Sequence, residues 1–361
     1  MNDTHFSDTI PTMRLRRFAI LAAVALIAGT ALALWLTRTP PAPPPSPAHA
    51  EFTGHTMGGT WSVKFPTRPP ADLEQRIAAE LARLDATLTL WQPNSPPSRF
   101  NQQTSTDWTP VPADLARVVA VAREISDQSG GALDVTVAPA VVLWGFGPAA
   151  SANQSPADDA VAAARARIDY RRLEARLDPP ALRKIRPNVQ IDLGAVGKGY
   201  AADRVADLLD SANVPDYLIA VGGELRARGH AADRRPWRVG IETPVPDVRR
   251  VLLAVELPAG HGLSTSGDYR NFLEVAGERV SHEIDPRTGR PIPVARGPAL
   301  VSVVHESSAR ADAWATALFV LGAEEGYALA SRLGLAAVFV TRGDGKFETR
   351  MTAAFEKLVA R

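Results

Sequence analysis

Twenty consecutive residues, Phe18 to Thr37 (FAILAAVALIAGTALALWLT), carry no charge, and this run constrains the chain more than any other feature. As a helix rising ~1.5 Å per residue it reaches roughly 30 Å, the thickness of one bilayer core. Arg14, Arg16 and Arg17 precede the run and only Arg38 follows closely. The positive-inside rule then puts residues 1–17 in the cytoplasm and the bulk of the chain beyond the membrane. A cleaved signal peptide is the other reading, since Ala31-Leu32-Ala33 and Ala48-His49-Ala50 both have the small-x-small form. The second of these lies far beyond the apolar run, which favours an uncleaved anchor over 18–37. Thr39 to Pro47 (TPPAPPPSP) predicts a stiff, extended linker within residues 38–50. No second segment of that composition follows, so residues 51–361 read as one unit.

The 361-residue chain is 45% hydrophobic, enough for a sizeable core. Lys and Arg number 40 against 39 Asp and Glu, a net charge of +1. No basic surplus exists to neutralise phosphate backbones, so nucleic acid is not an expected partner. The chain has no cysteine. That excludes disulfides, thiolate metal sites, a cysteine nucleophile and a lipid-modified N-terminal cysteine.

Periodicity places the elements. Thr60 to Phe65 alternates like a strand. Ala71 to Gln92 predicts a helix, with Ile77, Leu81, Leu84 and Leu88 on one stripe. Pro112 opens a second helix striped by Leu115, Val118, Val119, Ala122 and Ile125, and Gly130-Gly131 closes it. Val189 to Leu193 predicts a strand leading through glycines into a helix that ends near Leu209. Tyr217 to Ile284 is strand-rich, Val301 to Val304 is a strand, Ala309 to Leu321 a helix, and Ala336 to Thr341 a late strand. Hairpins mixed with scattered helices predict an α+β fold of mostly antiparallel sheets with packed helices, preceded by one N-terminal transmembrane helix.

Four glycine-rich stretches carry the candidate chemistry. Ile191 to Asp203 (IDLGAVGKGYAAD) reads as strand, turn and helix start, a place where backbone N–H groups and Lys198 suit an anion. It is neither a P-loop, which needs Gly at 192 and Ser or Thr at 199, nor a dinucleotide fingerprint, since its glycines run G-x-x-G-x-G. A turn in which glycine only permits tight packing remains the other reading. Asp312 and Thr316 stand i and i+4 on one helix face, and such hard oxygens suit magnesium better than zinc. Many solvated helices carry the same pair. His282 sits on an alternating strand beside the turn Asp285-Pro286, where it serves either as a general base on a hydroxyl or as a strand histidine bonded to that turn. Ser129 to Pro139 follows a helix end and leads to Leu143-Trp144-Gly145-Phe146-Gly147, whose aromatics pack either a ring system or the core.

Nine segments, in order, resemble the ApbE family of FAD:protein FMN transferases. They are HTMGGTWSV, SRFNQ, SGGALDVTVAP with LWGFG, IDLGAVGKGYAAD, AVGGELRARG, WRVGIETP, STSGDYRNF, SHEIDPRTGRPI and ADAWATALFVLG, from His55 to Gly322. The resemblance implies an enzyme that binds FAD and Mg2+, cleaves the pyrophosphate, and joins FMN to a Thr or Ser of a target redox protein while AMP leaves. Carried over residue by residue, it implies a metal held by the Ala195 carbonyl, Asp312 and Thr316. FAD contacts would fall on Met57, Trp91, Ala132, Leu133, Asp134, Asp192, Lys198 and Ser281. His282, with Asp192 and Lys198, would carry the chemistry, and His282 matches the histidine that takes the acceptor proton. With the arginine asymmetry, the resemblance puts the catalytic domain in the periplasm on a single-pass inner-membrane anchor, or free there after cleavage. The implied clients are exported or membrane-bound redox subunits, as in sodium-pumping NADH:quinone reductases.

The chain departs from the family pattern in three places. Met57-Gly58-Gly59-Thr60 has an extra glycine, Glu224 stands where Asp is commoner, and the lipobox cysteine is missing. Two further readings stand beside transfer. One is a magnesium-dependent FAD pyrophosphatase giving FMN and AMP. The other is a flavin-binding protein without turnover.

Overall fold

Strand Gly59–Phe65 buries Trp61, Val63 and Phe65 and turns Thr60, Ser62 and Lys64 away from the core. A period of two with one packed face is what an antiparallel sheet backed by helices requires. The computed structural model describes residues 50–147, 155–246, 248–270, 272–275 and 277–360. The expected membrane span, the segment before it and all of the linker except Ala50 lie outside the described residues. Ala50 opens the first strand. Among the described residues no helix is long and apolar enough to cross a membrane.

The main sheet has eight strands among the described residues. They are β1 (Ala50–Thr56), β2 (Gly59–Phe65), β3 (Tyr217–Val221), β4 (Glu224–Arg228), β5 (Gly262–Gly267), β6 (Leu300–His305), β7 (Ala336–Arg342) and β8 (Phe347–Met351). Each pairs antiparallel with the next, so spatial order and chain order coincide. A hairpin of Trp237–Glu242 with Val251–Leu257 leaves the sheet between β4 and β5. Between β5 and β6 comes a three-stranded sheet of Phe272–Val275, Glu278–Asp285 and Arg290–Pro293. The α+β class and the mostly antiparallel pairing agree with the expectation from sequence.

Four long helices matter for the site: α1 (Leu73–Leu88), α2 (Ala113–Gln128), α3 (Gly197–Ser211) and α4 (Ser308–Leu333). The largest core cluster joins their apolar stripes to one face of the sheet. Ile77 and Leu81 of α1, Leu115 and Val119 of α2, Val205 of α3 and Leu318 of α4 meet Val63, Ile219, Val301 and Phe339. On the opposite face, Leu263, Val304 and Val338 pack against Trp237, Val239, Val255 and Phe355.

Helix α1 ends with its apolar stripe at Leu88, short of the expected Gln92, because Thr89 turns extended (φ −68°, ψ 143°) and Ser95 Oγ donates to its carbonyl at 2.6 Å. Helix α4 runs past the expected end at Leu321. Gly322 breaks it locally (φ 82°, ψ 177°), and Gly334 ends it in the left-handed region. Asp203 of α3 accepts from the Ser308 and Ala309 N–H groups at 2.8 and 3.1 Å, which ties α3 to the start of α4.

Val189–Leu193 is not a strand. Val189, Ile191 and Leu193 are buried as the alternation requires, but among the described residues no strand pairs with them. The backbone of Ile191 bonds instead to the side chain of Asn101, at 2.7 and 2.8 Å. Alternation reports burial of side chains; it does not report what satisfies the main chain.

Helices α3 and α4 touch at Gly199. A Cβ there would lie 2.2 Å from the Ser308 carbonyl oxygen and 2.8 Å from Asp312 Cβ. Gly199→Ala is therefore expected to force the helices apart and cost about 1–3 kcal/mol, read as a lowered Tm. An unchanged Tm would mean that the contact yields more easily than its geometry implies.

Candidate active site

Glycine sets up the first half of the site. After Ile191, the Asp192 carboxylate accepts from the Gly194 N–H at 2.8 Å, and the Leu193 carbonyl takes the N–H groups of Val196 and Gly197 to start α3. The residue before this helix offers no capping side chain, and the Gly199 N–H of its first turn is taken by a carboxylate of α4. Lys198 leaves the first turn and lies against the β3–β4 turn. Gly222 (φ 59°) makes room for it, since a Cβ there would come within 2.9 Å of Lys198 Cδ. Lys198 Nζ donates to Glu224 Oε1 at 2.9 Å.

The second half comes from α4 and β5. Asp312 accepts from the Gly199 N–H at 3.0 Å, and Thr316, one turn on, lies 3.0 Å from the hydroxyl of Ser266. The strand Glu278–Asp285 completes the site with His282, whose Nε2 stands 3.7 Å from Glu283 Oε1 and whose ring meets that of Phe146 edge-on at 6.5 Å.

These elements enclose a cleft of about 620 Å³. Asp192, Ala195 and Lys198 line it from the α3 side, Asp312 and Thr316 from α4, and His282 from the facing strand. Ala132, Leu133 and Asp134 form a wall, and Trp91 stands at the rim, 69% exposed. Two sequence-predicted residues are placed apart from the lining. Met57 sits in the β1–β2 turn with φ 48° and packs on the main core. Ser281 is fully buried, and its hydroxyl accepts from the Glu283 N–H at 3.0 Å. Trp144 is a core residue whose indole N–H donates to the Gly289 carbonyl at 2.8 Å.

Sequence reading gave no task to Glu283, to the β5 residues Thr265 and Ser266, or to Glu224 beyond its departure from Asp; all four line the cleft. The paired glycines before Glu224 were the available signal, because a carboxylate directly after a tight turn projects where the turn points.

The electrostatics are unbalanced. Burial pushes the Asp312 carboxyl well above its ordinary range, and Glu224 beside it pushes the same way. Burial likewise raises Asp192 against the opposing Gly194 bond. Glu224 holds the Lys198 ammonium above its usual value. Burial also raises Asp134, although the Thr136 N–H and hydroxyl and the Tyr170 N–H all bond to it. Glu224 Oε2 is buried with no hydrogen-bond partner. A buried anionic oxygen left without a donor is costly, and a cation relieves it. Among the described residues no three His, Cys, Asp or Glu side chains form a metal cage. The available set is instead a carbonyl at Ala195, a carboxyl at Asp312 and a hydroxyl at Thr316. With Asp192 and Glu224 beside it, this set fits a hard divalent cation.

The model of the ApbE family matches residues 57–339, which takes in every cleft-lining residue discussed above. The chain belongs to the ApbE family. An ApbE relative, the FAD:protein FMN transferase of Escherichia coli (strain K12), is 36% identical over 345 residues, covering 93% of this chain and 97% of its own length. That of Haemophilus influenzae is 37% identical over 316 residues, covering 85% and 90%. Among solved structures, the apo form of Pseudomonas stutzeri flavinyl transferase ApbE superposes with a TM-score of 0.77 at 39% identity, covering 86% of this chain and 96% of that one. Like these ApbE relatives, the chain is a transferase.

Proposed function

We propose that this protein is a magnesium-dependent FAD:protein FMN transferase that modifies a Thr or Ser of a redox protein in the periplasm, held there by an inner-membrane anchor over residues 18–37. The observation that carries the reading is the convergence of Lys198, the Asp312–Thr316 pair and His282 on one cleft.

The step balances simply. The acceptor hydroxyl oxygen forms a bond to the phosphorus of the FMN half. The bond from that phosphorus to the bridging oxygen breaks, and AMP departs with the electron pair. The hydroxyl proton passes to the His282 imidazole, whose pull makes the oxygen nucleophilic. Lys198 presents positive charge to the pyrophosphate. Magnesium, held by the Ala195 carbonyl, Asp312 and Thr316, would supply further positive charge against the phosphates. The wall of Ala132 to Asp134 and the rim tryptophan Trp91 would orient the ring systems. No covalent enzyme intermediate is needed, in keeping with a cysteine-free chain.

The test is incubation with FAD, magnesium and an acceptor protein carrying a Gly-Ala-Thr-type motif, read by in-gel flavin fluorescence and intact mass. A labelled acceptor supports transfer. Free FMN and AMP without label reassign the protein as a pyrophosphatase, and bound FAD without turnover reassigns it as a flavin-binding protein. Protease protection of the full chain in spheroplasts tests the anchor. A soluble cytoplasmic fraction would overturn it.

A further inference from the structure

Asn101 belongs to the SRFNQ segment, to which the transfer chemistry assigns no task. It sits at the end of the short helix Pro96–Gln102. Its side-chain amide makes a two-point contact with one residue 90 positions on. Nδ2 donates to the Ile191 carbonyl at 2.8 Å, and Oδ1 accepts from the Ile191 N–H at 2.7 Å. A primary amide offers donor and acceptor side by side, as a peptide group does. Asn101 thus does for Ile191 what a neighbouring strand would do.

The next residue is fixed as well. The Asp192 N–H donates to the Val135 carbonyl at 2.7 Å. From there the chain runs directly into the site, through the Asp192–Gly194 bond and the start of α3 to Ala195 and Lys198. Three site residues therefore lie within seven positions of the one that Asn101 holds. Asn101 is itself braced. Lys184 is fully buried against the Phe100 ring, 4.8 Å from its centroid. Its Nζ donates to the Gln103 carbonyl at 2.7 Å and reaches the Asn101 carbonyl at 3.5 Å. Burial brings that ammonium down to about 8, the sign of a group kept inside at a cost.

We propose that Asn101 is a positioning residue of the active site: its amide, braced by Lys184, sets the register of residues 191–198 and thereby the placement of Asp192, the Ala195 carbonyl and Lys198 around FAD. The inference rests on the transferase reading for what the placement serves, and on geometry alone for the placement. It separates from ordinary fold support by its kinetics. A contact that only stabilises the fold changes how much enzyme is active and leaves the KM for FAD alone. A contact that sets the register of FAD-binding groups changes that KM, and a displacement of about 1 Å costs on the order of 100-fold.

The experiment uses the full chain with Asn101→Leu, which keeps the volume and removes both bonds, and Asn101→Asp, which keeps only the acceptor. Steady-state kinetics with FAD and acceptor varied separately are paired with FAD affinity by flavin fluorescence and hydrogen exchange over residues 189–197. The expected result for Asn101→Leu is a kcat/KM for FAD lowered about 100-fold, carried by KM, with the acceptor KM unchanged. Asn101→Asp falls between it and the parent. The Ile191 and Asp192 amides lose exchange protection while those of α1 keep theirs. Parental FAD affinity in Asn101→Leu, or a fall in Tm with no change in either KM, overturns the proposal. If Asn101→Leu does not fold, Asn101→Asp decides on the same readouts. Were the protein to transfer no FMN at all, FAD affinity and exchange would still read Asn101 independently of that failure.

Discussion

Replacing His282 by alanine is expected to lower acceptor flavinylation by about 10²- to 10⁴-fold, the usual reach of a general base, while FAD affinity stays near the parental value. The imidazole lies on the strand facing Lys198 and Asp312 across the cleft, beside Glu283 at 3.7 Å. Its expected role concerns the incoming hydroxyl and not the bound pyrophosphate. Slow release of FMN and AMP to water should therefore persist in His282→Ala, and the ratio of labelled acceptor to free FMN should collapse. Intact mass of the acceptor with nucleotide chromatography of the same reaction measures both. If acceptor labelling and hydrolysis fall together, His282 serves FAD binding and the assignment as base fails.

Replacing Asp312 by asparagine is expected to have opposite effects on activity and stability. Transfer should drop on the order of 10²- to 10³-fold, because a charged oxygen aimed at the developing phosphate charge through the cation is lost. The cation-free protein should become more stable at neutral pH. The Asp312 carboxyl is raised chiefly by burial and next by Glu224. A carboxyl raised in the fold contributes its full stability below its ordinary value near 3.8 and loses it as pH climbs through the raised folded value. At neutral pH the native protein bears that loss, and asparagine removes it. The Tm difference between Asp312→Asn and the parent should thus vanish in acid and open toward neutrality, and magnesium should narrow it by stabilising the parent alone. A variant less stable than the parent at neutral pH without magnesium would mean that the Gly199 bond at 3.0 Å outweighs burial.

The sequence shows α1 and α2 plainly because an unbroken apolar stripe runs along each, and it shows Lys198, Asp312 and His282 because each lies in a short stretch of distinctive residues. Two features stayed hidden for different physical reasons. The partner of Val189–Leu193 is a single side chain, and periodicity is blind to side-chain surrogates for a strand. Glu224 looked like a lengthened substitute, but its part in the site depends on Lys198, 26 positions earlier in the chain. Met57 and Ser281 show the converse. Ser281 sits in a segment that reaches the cleft, but its hydroxyl is taken up by its own strand, and Met57 sits in a turn that packs on the core. Neighbourhood in sequence fixed the segment and left the direction of the side chain open.

The eight strands pair in the order in which they are made, yet four of the joints are long detours. The chain leaves the sheet after β2 at Phe65 and returns only at Tyr217, and it leaves again after β4 at Arg228 to return at Gly262. Every other joint in the sheet except β5–β6 and β6–β7 is a short turn. The first detour carries Asp134, Asp192 and Lys198, so the β2–β3 pair closes a loop that contains much of the cleft. Loop closure grows costlier with length, and distant pairings form slowly. During refolding, the β3–β4 and β7–β8 hairpins should gain protection early and the β2–β3 seam late. The ability to bind FAD should appear with that seam, as the last event and not the first.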